Sequence, residues 1–128
     1  MGELLFVYGT LRRGSGHPQG HWLAEQAQWL GRARVGGRLY RVSYYPGLVP
    51  DASAAVWGDV YRLPEAGVAA VWQRLDAFEE IRGQADDEYR RARETVRLES
   101  GEIVEAWIYW FQGDTAGLER VPGGDWLD

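Results

Sequence analysis

The stretch IVEAWIYWF at residues 103–111 decides the fold class, because it has the composition of a strand and is apolar on both faces. One face carries Trp107, Tyr109 and Phe111, and the other carries Val104, Ala106, Ile108 and Trp110. A strand with two apolar faces is buried on both sides, as in a barrel wall that has helices packed outside it. The stretch therefore predicts a strongly curved or closed sheet.

The rest of the chain supplies the other strands of this sheet. Residues 89–98 pair naturally with residues 103–111 as a hairpin around the turn at 99–102. Further runs with strand character are residues 3–11, 28–35, 37–42 and 56–63. Gly58 interrupts the last of these runs and indicates a bulge or a close backbone approach. The connecting segments are a loop at 12–20, a short helical or irregular segment at 21–30, a turn at 45–47 and a polar loop at 81–88.

One segment has a clear helical pattern. Between Glu65 and Glu79, a single stripe at helical spacing is formed by Val68, Val71, Trp72, Leu75 and Phe78. Pro64-Glu65 suits the first turn of this helix. The sequence therefore predicts one α+β domain over residues 1–128. Its core is a small curved or closed mixed β-sheet, barrel-like and of about six strands, with one main amphipathic helix.

The composition excludes several classes of protein. The chain has no cysteine, which excludes disulfides and thiolate chemistry, and its net charge of -5 disfavours nucleic acid as a partner. No run approaches the ~20 apolar residues of a membrane span, and the mean hydropathy is -0.40. The N-terminus has no basic and apolar leader, so we expect a cytoplasmic protein without a targeting peptide.

Glu79 is a carboxylate on the apolar face of the predicted helix. It lies four residues after Leu75 and seven after Trp72, which places it inside the apolar stripe. Burial and the partial negative charge of a helix C-terminus both raise the pKa of a carboxyl group, as a general acid–base requires. The alternative is a structural glutamate that reaches solvent or pairs with Arg82 or Arg91.

The segment Tyr8-Gly9-Thr10-Leu11 follows a buried strand. A glycine at such a point lets a ligand approach the backbone, and neighbouring N–H groups can then bind an anion or an oxyanion. The glycine spacing matches neither a Walker loop nor a dinucleotide fingerprint. The alternative is an ordinary strand end.

The two histidines do not predict a metal site. His17 and His21 are four residues apart but fall in a segment rich in Gly and Pro, where helical geometry is not expected. No third ligand is near them in the sequence. We therefore expect no metal ion.

Several short motifs, in order along nearly the whole chain, resemble the gamma-glutamylcyclotransferase-like superfamily (AIG2-like, YtfP-like and BtrG-like proteins). They are LFVYGTLR at 5–12, HWL at 21–23, GRLY at 37–40, YPGLV at 45–49, VWGDVY at 56–61, LDAFE at 75–79 and GDW at 124–126, and YRR at 89–91 fits the family's Tyr-x-Arg. One position departs from the family pattern, because Glu80 stands where the family has glycine after the catalytic glutamate.

The resemblance implies an enzyme that cyclises a small-molecule gamma-glutamyl compound to 5-oxoproline and releases an amine, without a cofactor or membrane. Glu79 would be the general acid–base. The substrate-binding residues would be Tyr8, Gly9, Thr10, Leu11, Tyr89, Arg91 and Trp126, and Arg12 is a second candidate for a carboxylate partner. Two alternatives remain open at this point: a non-catalytic ligand-binding module, and an amide hydrolase or acyltransferase that uses the same carboxylate.

Overall fold

The computed structural model describes residues 3–127. Its strands are β1 (Leu4–Val7), β2 (Gln28–Arg41), β3 (Pro46–Arg62), β4 (Tyr89–Leu98), β5 (Ile103–Phe111) and β6 (Glu119–Arg120). Its helices are α1 (Pro18–Gln26), α2 (Val68–Phe78) and a 3₁₀ turn at Pro122–Gly124. The order β3-β1-β5-β4-β2, with β2 also paired to β3, closes five strands into a barrel. β6 extends the sheet from β2, and the α+β, barrel-like prediction is confirmed.

The two apolar faces of β5 pack into two different cores. The inner core takes residues from every strand of the barrel and none from α1 or α2, and β5 contributes Ala106, Ile108 and Trp110 to it. The outer core places Leu23 of α1, together with the inner face of α2, against the outside of β1, β3 and β5. β5 contributes Tyr109 and Phe111 to this outer core, so the helices cover one side of the barrel.

Several predicted boundaries are wrong, and each has a local reason. β1 ends at Val7 because the chain then enters a turn in which the Arg12 N–H donates to the Gly9 carbonyl (3.0 Å). The two strands predicted at 28–35 and 37–42 are one strand, β2, whose register shifts between Gly36 and Gly37. The strand predicted at 56–63 is the second half of β3, which begins at Pro46.

Both helices also begin elsewhere than predicted. α2 begins at Val68 rather than Glu65, because Gly67 has a φ of 76° and this left-handed conformation stops the helix from extending upstream. α1 begins at Pro18, so His17 and His21 lie on one helical turn, with His17 as the N-cap. Neither helix within residues 3–127 has the length and apolar content needed to cross a bilayer.

Gly58 lies where β3 passes closest to β1. A Cβ atom built on Gly58 would lie 2.6 Å from the ring of Phe6 and would clash with the Val7 carbonyl oxygen. The predicted close backbone approach is therefore confirmed. The contact brings the end of β1, and the loop that follows it, tightly against the barrel.

We expect Gly58→Ala to lower the free energy of unfolding by about 2 kcal/mol, because the added methyl group overpacks the junction of β1 and β3. Urea denaturation measures the change. Gly36→Ala on β2 is the control: the nearest neighbour of its Cβ would be the Asp51 carbonyl oxygen, at 3.2 Å, and the other neighbours lie at ordinary contact distance. The control should cost less than about 1 kcal/mol. Equal costs for both variants would contradict the close approach at Gly58.

Candidate active site

A cavity of about 630 Å³ opens beside the C-terminal end of α2. Its walls come from the loop after β1, the turn at 43–46, the end of α2 and the start of β4. The predicted site residues among its lining are Tyr8, Gly9, Thr10, Leu11, Glu79 and Tyr89. Six of the eight predicted residues therefore share one cavity.

Glu79 is held at the cavity by the way in which α2 ends. Its N–H donates to the Leu75 carbonyl (3.0 Å), and the next residue, Glu80, has a φ of 56°. The Ile81 N–H then returns to the Asp76 carbonyl (2.8 Å) and closes the helix end. Glu80 therefore occupies a left-handed position that favours glycine, which accounts for the family's glycine at this point.

The Glu79 carboxyl group is half-buried and forms no hydrogen bond or ion pair with any other residue in the range 3–127. The two arginines considered as its partners bind other carboxylates. Arg82 binds Asp87 (3.3 Å), and Arg91 binds Asp76 (3.4 Å). Burial first, and then the carboxylates of Glu88 and Asp76, raise the pKa of Glu79 to about 7. Such a group accepts and returns a proton near neutral pH.

We expect Glu88→Gln to shift the midpoint of the pH–rate profile to lower pH. Removing a neighbouring negative charge stabilises the ionised form of Glu79 and lowers its pKa. The pH dependence of kcat/KM measures the shift for any substrate that is turned over. Glu105→Gln, an exposed change on β5, should leave the midpoint in place. An unmoved midpoint in Glu88→Gln would show that this charge does not act on Glu79.

Three tyrosines form the inner wall of the cavity, and each of their hydroxyl groups already donates a hydrogen bond within the protein. Tyr8 donates to the Tyr109 carbonyl, Tyr89 to the Pro46 carbonyl (2.6 Å), and Tyr109 to the Asp76 carboxylate (2.7 Å). Burial is the largest cause that raises the pKa of all three, so they stay neutral. A hydroxyl whose proton is engaged still offers lone pairs, so this wall can accept hydrogen bonds from a cation.

The backbone of the loop after β1 offers donors to the same cavity. The N–H groups of Thr10 and Leu11 donate to no backbone or side-chain acceptor among the described residues. The Thr10 carbonyl is held by the Ser15 hydroxyl (2.7 Å), and Gly9 packs closely against Pro46. No arginine or lysine lines the cavity within residues 3–127. These amides are therefore the donors that suit an anionic group.

Two predicted binding residues lie away from the cavity. Arg91 is two residues beyond Tyr89 on β4, where it meets Asp76 and stacks on Trp72, 4.1 Å from the ring centre. Trp126 packs against the inner core and under the guanidinium of Arg41 (4.7 Å). Neither residue therefore lines the cavity, and a role for either of them in substrate binding stays a prediction.

Arg12, the other candidate for binding a substrate carboxylate, also forms its ion pairs away from the cavity. It is buried between Asp59 (3.0 Å) and Asp125 (2.6 Å). Both of its partners are internal carboxylates, so no part of its charge is directed to the cavity.

Several residues of the site were not predicted from the sequence. Tyr109 was assigned to the correct face of β5, and that face could have suggested it. Asp76 and Glu88 depend on how α2 and the 81–88 loop pack on the barrel, which no local pattern encodes. His17 also lines the cavity, and its Nδ1 accepts the Gln19 N–H (3.1 Å) as the N-cap of α1.

Comparison with known sequences identifies the family. The sequence model described as gamma-glutamyl cyclotransferase, AIG2-like, matches residues 5–128. The chain belongs to this AIG2-like family. The resemblance seen in the sequence is thus confirmed.

Individual proteins are similar to this chain over nearly their full length. A protein of Vibrio cholerae with the provisional name gamma-glutamylcyclotransferase is 34% identical over 98% of this chain and 96% of its own. The solution structure of ytfP from Escherichia coli is 37% identical, with a TM-score of 0.64 over 98% of this chain and 96% of that one. An aig2-like protein from Mus musculus shares the fold, with a TM-score of 0.72 at 23% identity over 98% of this chain and 94% of that one.

Proposed function

We propose that this AIG2-like protein is a gamma-glutamylcyclotransferase, which converts a small gamma-glutamyl compound into 5-oxoproline and a free amine. One observation carries the proposal: the Glu79 carboxyl has no hydrogen-bond or ion-pair partner among residues 3–127, has a pKa raised to about 7, and shares a cavity with backbone donors that are unpaired within the same range. A structural glutamate would instead be paired or solvated. The family membership and the provisional name of the Vibrio cholerae relative support the same reaction class.

The two kinds of group in the cavity suit the two charges of a gamma-glutamyl substrate. The N–H groups of Thr10 and Leu11 would bind the α-carboxylate, since no arginine or lysine among the described residues lines the cavity. The hydroxyl oxygens of Tyr8 and Tyr89 would accept hydrogen bonds from the α-ammonium. With both charged groups of its α-carbon held, the glutamyl chain can fold so that its nitrogen approaches its own γ-carbonyl, and this proximity lowers the barrier to ring closure.

Glu79 would carry the proton through the reaction. It first takes a proton from the α-ammonium, which frees the nitrogen lone pair. That nitrogen attacks the γ-carbonyl carbon, a new C–N bond forms, and the carbonyl becomes a tetrahedral oxyanion. When the oxyanion collapses, the original amide C–N bond breaks and Glu79 returns its proton to the departing nitrogen. The attacking nitrogen still carries one proton more than the lactam needs, and it passes this proton through Glu79 to the released amine. The products are 5-oxoproline and the ammonium form of the amine, and Glu79 is ionised again.

The test is incubation with a panel of gamma-glutamyl amino acids, amines and peptides, with detection of 5-oxoproline. We expect 5-oxoproline from at least one of them, and a kcat/KM that rises with pH through a midpoint near pH 7, since the ionised carboxylate is the base. Release of free glutamate would indicate a hydrolase instead. Saturable binding without any product would indicate a binding module. Either result would overturn the proposal.

A further inference from the structure

The loop that carries the Thr10 and Leu11 amides is fixed by one buried arginine. Arg12, the next residue, is only 6% exposed and joins two carboxylates that are distant in sequence. Its Nε donates to Asp59 on β3 (3.0 Å), and its Nη1 donates to Asp125 near the end of the chain (2.6 Å). A guanidinium has donors fixed in one plane, so two partners set its orientation as well as its position.

The two carboxylates are themselves anchored. Asp59 also accepts the Arg13 N–H (3.2 Å) and the Trp29 indole N–H (3.1 Å). Asp125 also accepts Arg32 (3.0 Å) and the Leu127 N–H (3.1 Å). Burial opposes ionisation of Asp125, but the charge of Arg12 and these hydrogen bonds outweigh it and lower the pKa of Asp125. The Asp125 carboxyl therefore stays ionised through the neutral pH range.

We propose that Asp125 is a positioning residue: by holding Arg12, it fixes the backbone N–H groups of Thr10 and Leu11 where they bind the substrate's α-carboxylate. The proposal rests on the function proposed above. Asp125 does not line the cavity, so it acts only through Arg12. Removing it frees one side of the guanidinium while Asp59 still holds the other side, so the fold is kept and the loop gains freedom.

Asp125→Asn tests the proposal. We expect its KM for a gamma-glutamyl substrate to rise about tenfold, with kcat within about twofold, because the amides contact the carboxylate throughout the reaction. The midpoint of the pH–rate profile should not move, because Glu79 keeps its surroundings. Asp51→Asn is the matched control, since Asp51 also pairs with an arginine, Arg38 (3.1 Å), away from the cavity. Its KM should equal that of the wild type.

A second variant covers the case in which Asp125→Asn does not fold. Arg12→Lys keeps the charge but loses the planar fork that joins the two carboxylates, so it should also raise KM about tenfold. A purely structural role would lower thermal stability and leave KM unchanged in the folded fraction. Unchanged KM in both variants would overturn the proposal.

Binding of free glutamate, measured by calorimetry, separates this proposal from the proposed reaction. Glutamate carries the same α-carboxylate and needs no turnover. We expect Asp125→Asn to weaken glutamate binding about tenfold, even if no compound in the panel yields 5-oxoproline and the cyclotransferase function is wrong. Wild-type protein that does not bind glutamate, or an Asp125→Asn variant that binds it as well as the wild type, would overturn the positioning role.

Discussion

Glu79→Gln should reduce kcat for cyclisation by about a thousandfold or more, because the amide can neither take the proton of the α-ammonium nor return one to the leaving nitrogen. Glutamine has nearly the same size and shape, and the wild-type carboxyl forms no hydrogen bond within residues 3–127 that the change would break. The variant should therefore keep the fold and the cavity. Rates of 5-oxoproline formation, with folding checked by circular dichroism, measure the effect.

Glu25→Gln is the matched control for this experiment. Glu25 is also a glutamate at the C-terminal end of a helix, α1, but it is exposed and does not line the cavity. It should keep wild-type kcat and KM. A Glu79→Gln variant that turned over a confirmed substrate at the wild-type rate would exclude Glu79 as the acid–base.

The same substitution should stabilise the protein at pH 8 and not at pH 4. Glu79 has a pKa of about 7 in the folded state against an ordinary value of 4.5. Below pH 4.5 the carboxyl is protonated in both states, so it has no effect on the pH dependence. Between pH 4.5 and 7 the unfolded chain loses the proton first, so stability falls as pH rises through this window. Above pH 7 the full loss of unfolding free energy is reached, about 3 kcal/mol.

Glutamine carries no charge, so it removes this cost. Urea denaturation at pH 4, 6 and 8 should show a Glu79→Gln advantage that grows from near zero to about 3 kcal/mol. Glu25→Gln should show no such trend, since its carboxyl is exposed. A constant difference across the three pH values would mean that the folded protein does not raise the pKa of Glu79. If Glu79→Gln also abolishes activity, this trend would show that Glu79 lowers the stability of the folded protein and is retained because catalysis requires it.

The features that the sequence predicted well are those encoded by local periodicity. The two apolar faces of β5 predicted a wall between two cores, and both cores are present. The stripe along α2 predicted that Glu79 would face inward, and its carboxyl does line the cavity. The turn after β1 was predicted because Gly9 closely follows a buried apolar run. In each case the residues on which the prediction depends lie close together in the sequence.

The sequence predicted less where the position of a side chain depends on packing between distant segments. Arg91 and Tyr89 lie on the same face of β4, so alternation alone could not separate them. The register of β4 against α2 places Tyr89 at the cavity and Arg91 at Asp76. The position of Trp126 also could not be predicted from local sequence, because it depends on Asp125. An arginine 113 residues earlier holds Asp125 in place.

The parallel contact between β1 and β5 joins Leu5 to Trp107, so it can form only after most of the chain has been synthesised. When the ribosome has released residue 62, β1 can already pair with β3, and Glu79 emerges soon afterwards. The strand that carries Tyr109 comes some thirty residues later. Until it arrives, the nascent chain presents an inward-facing carboxylate on an amphipathic helix with no barrel wall to cover it. Contacts between such distant segments form slowly. The interval between these two segments is therefore when the growing chain is most exposed to aggregation, or to binding by a chaperone.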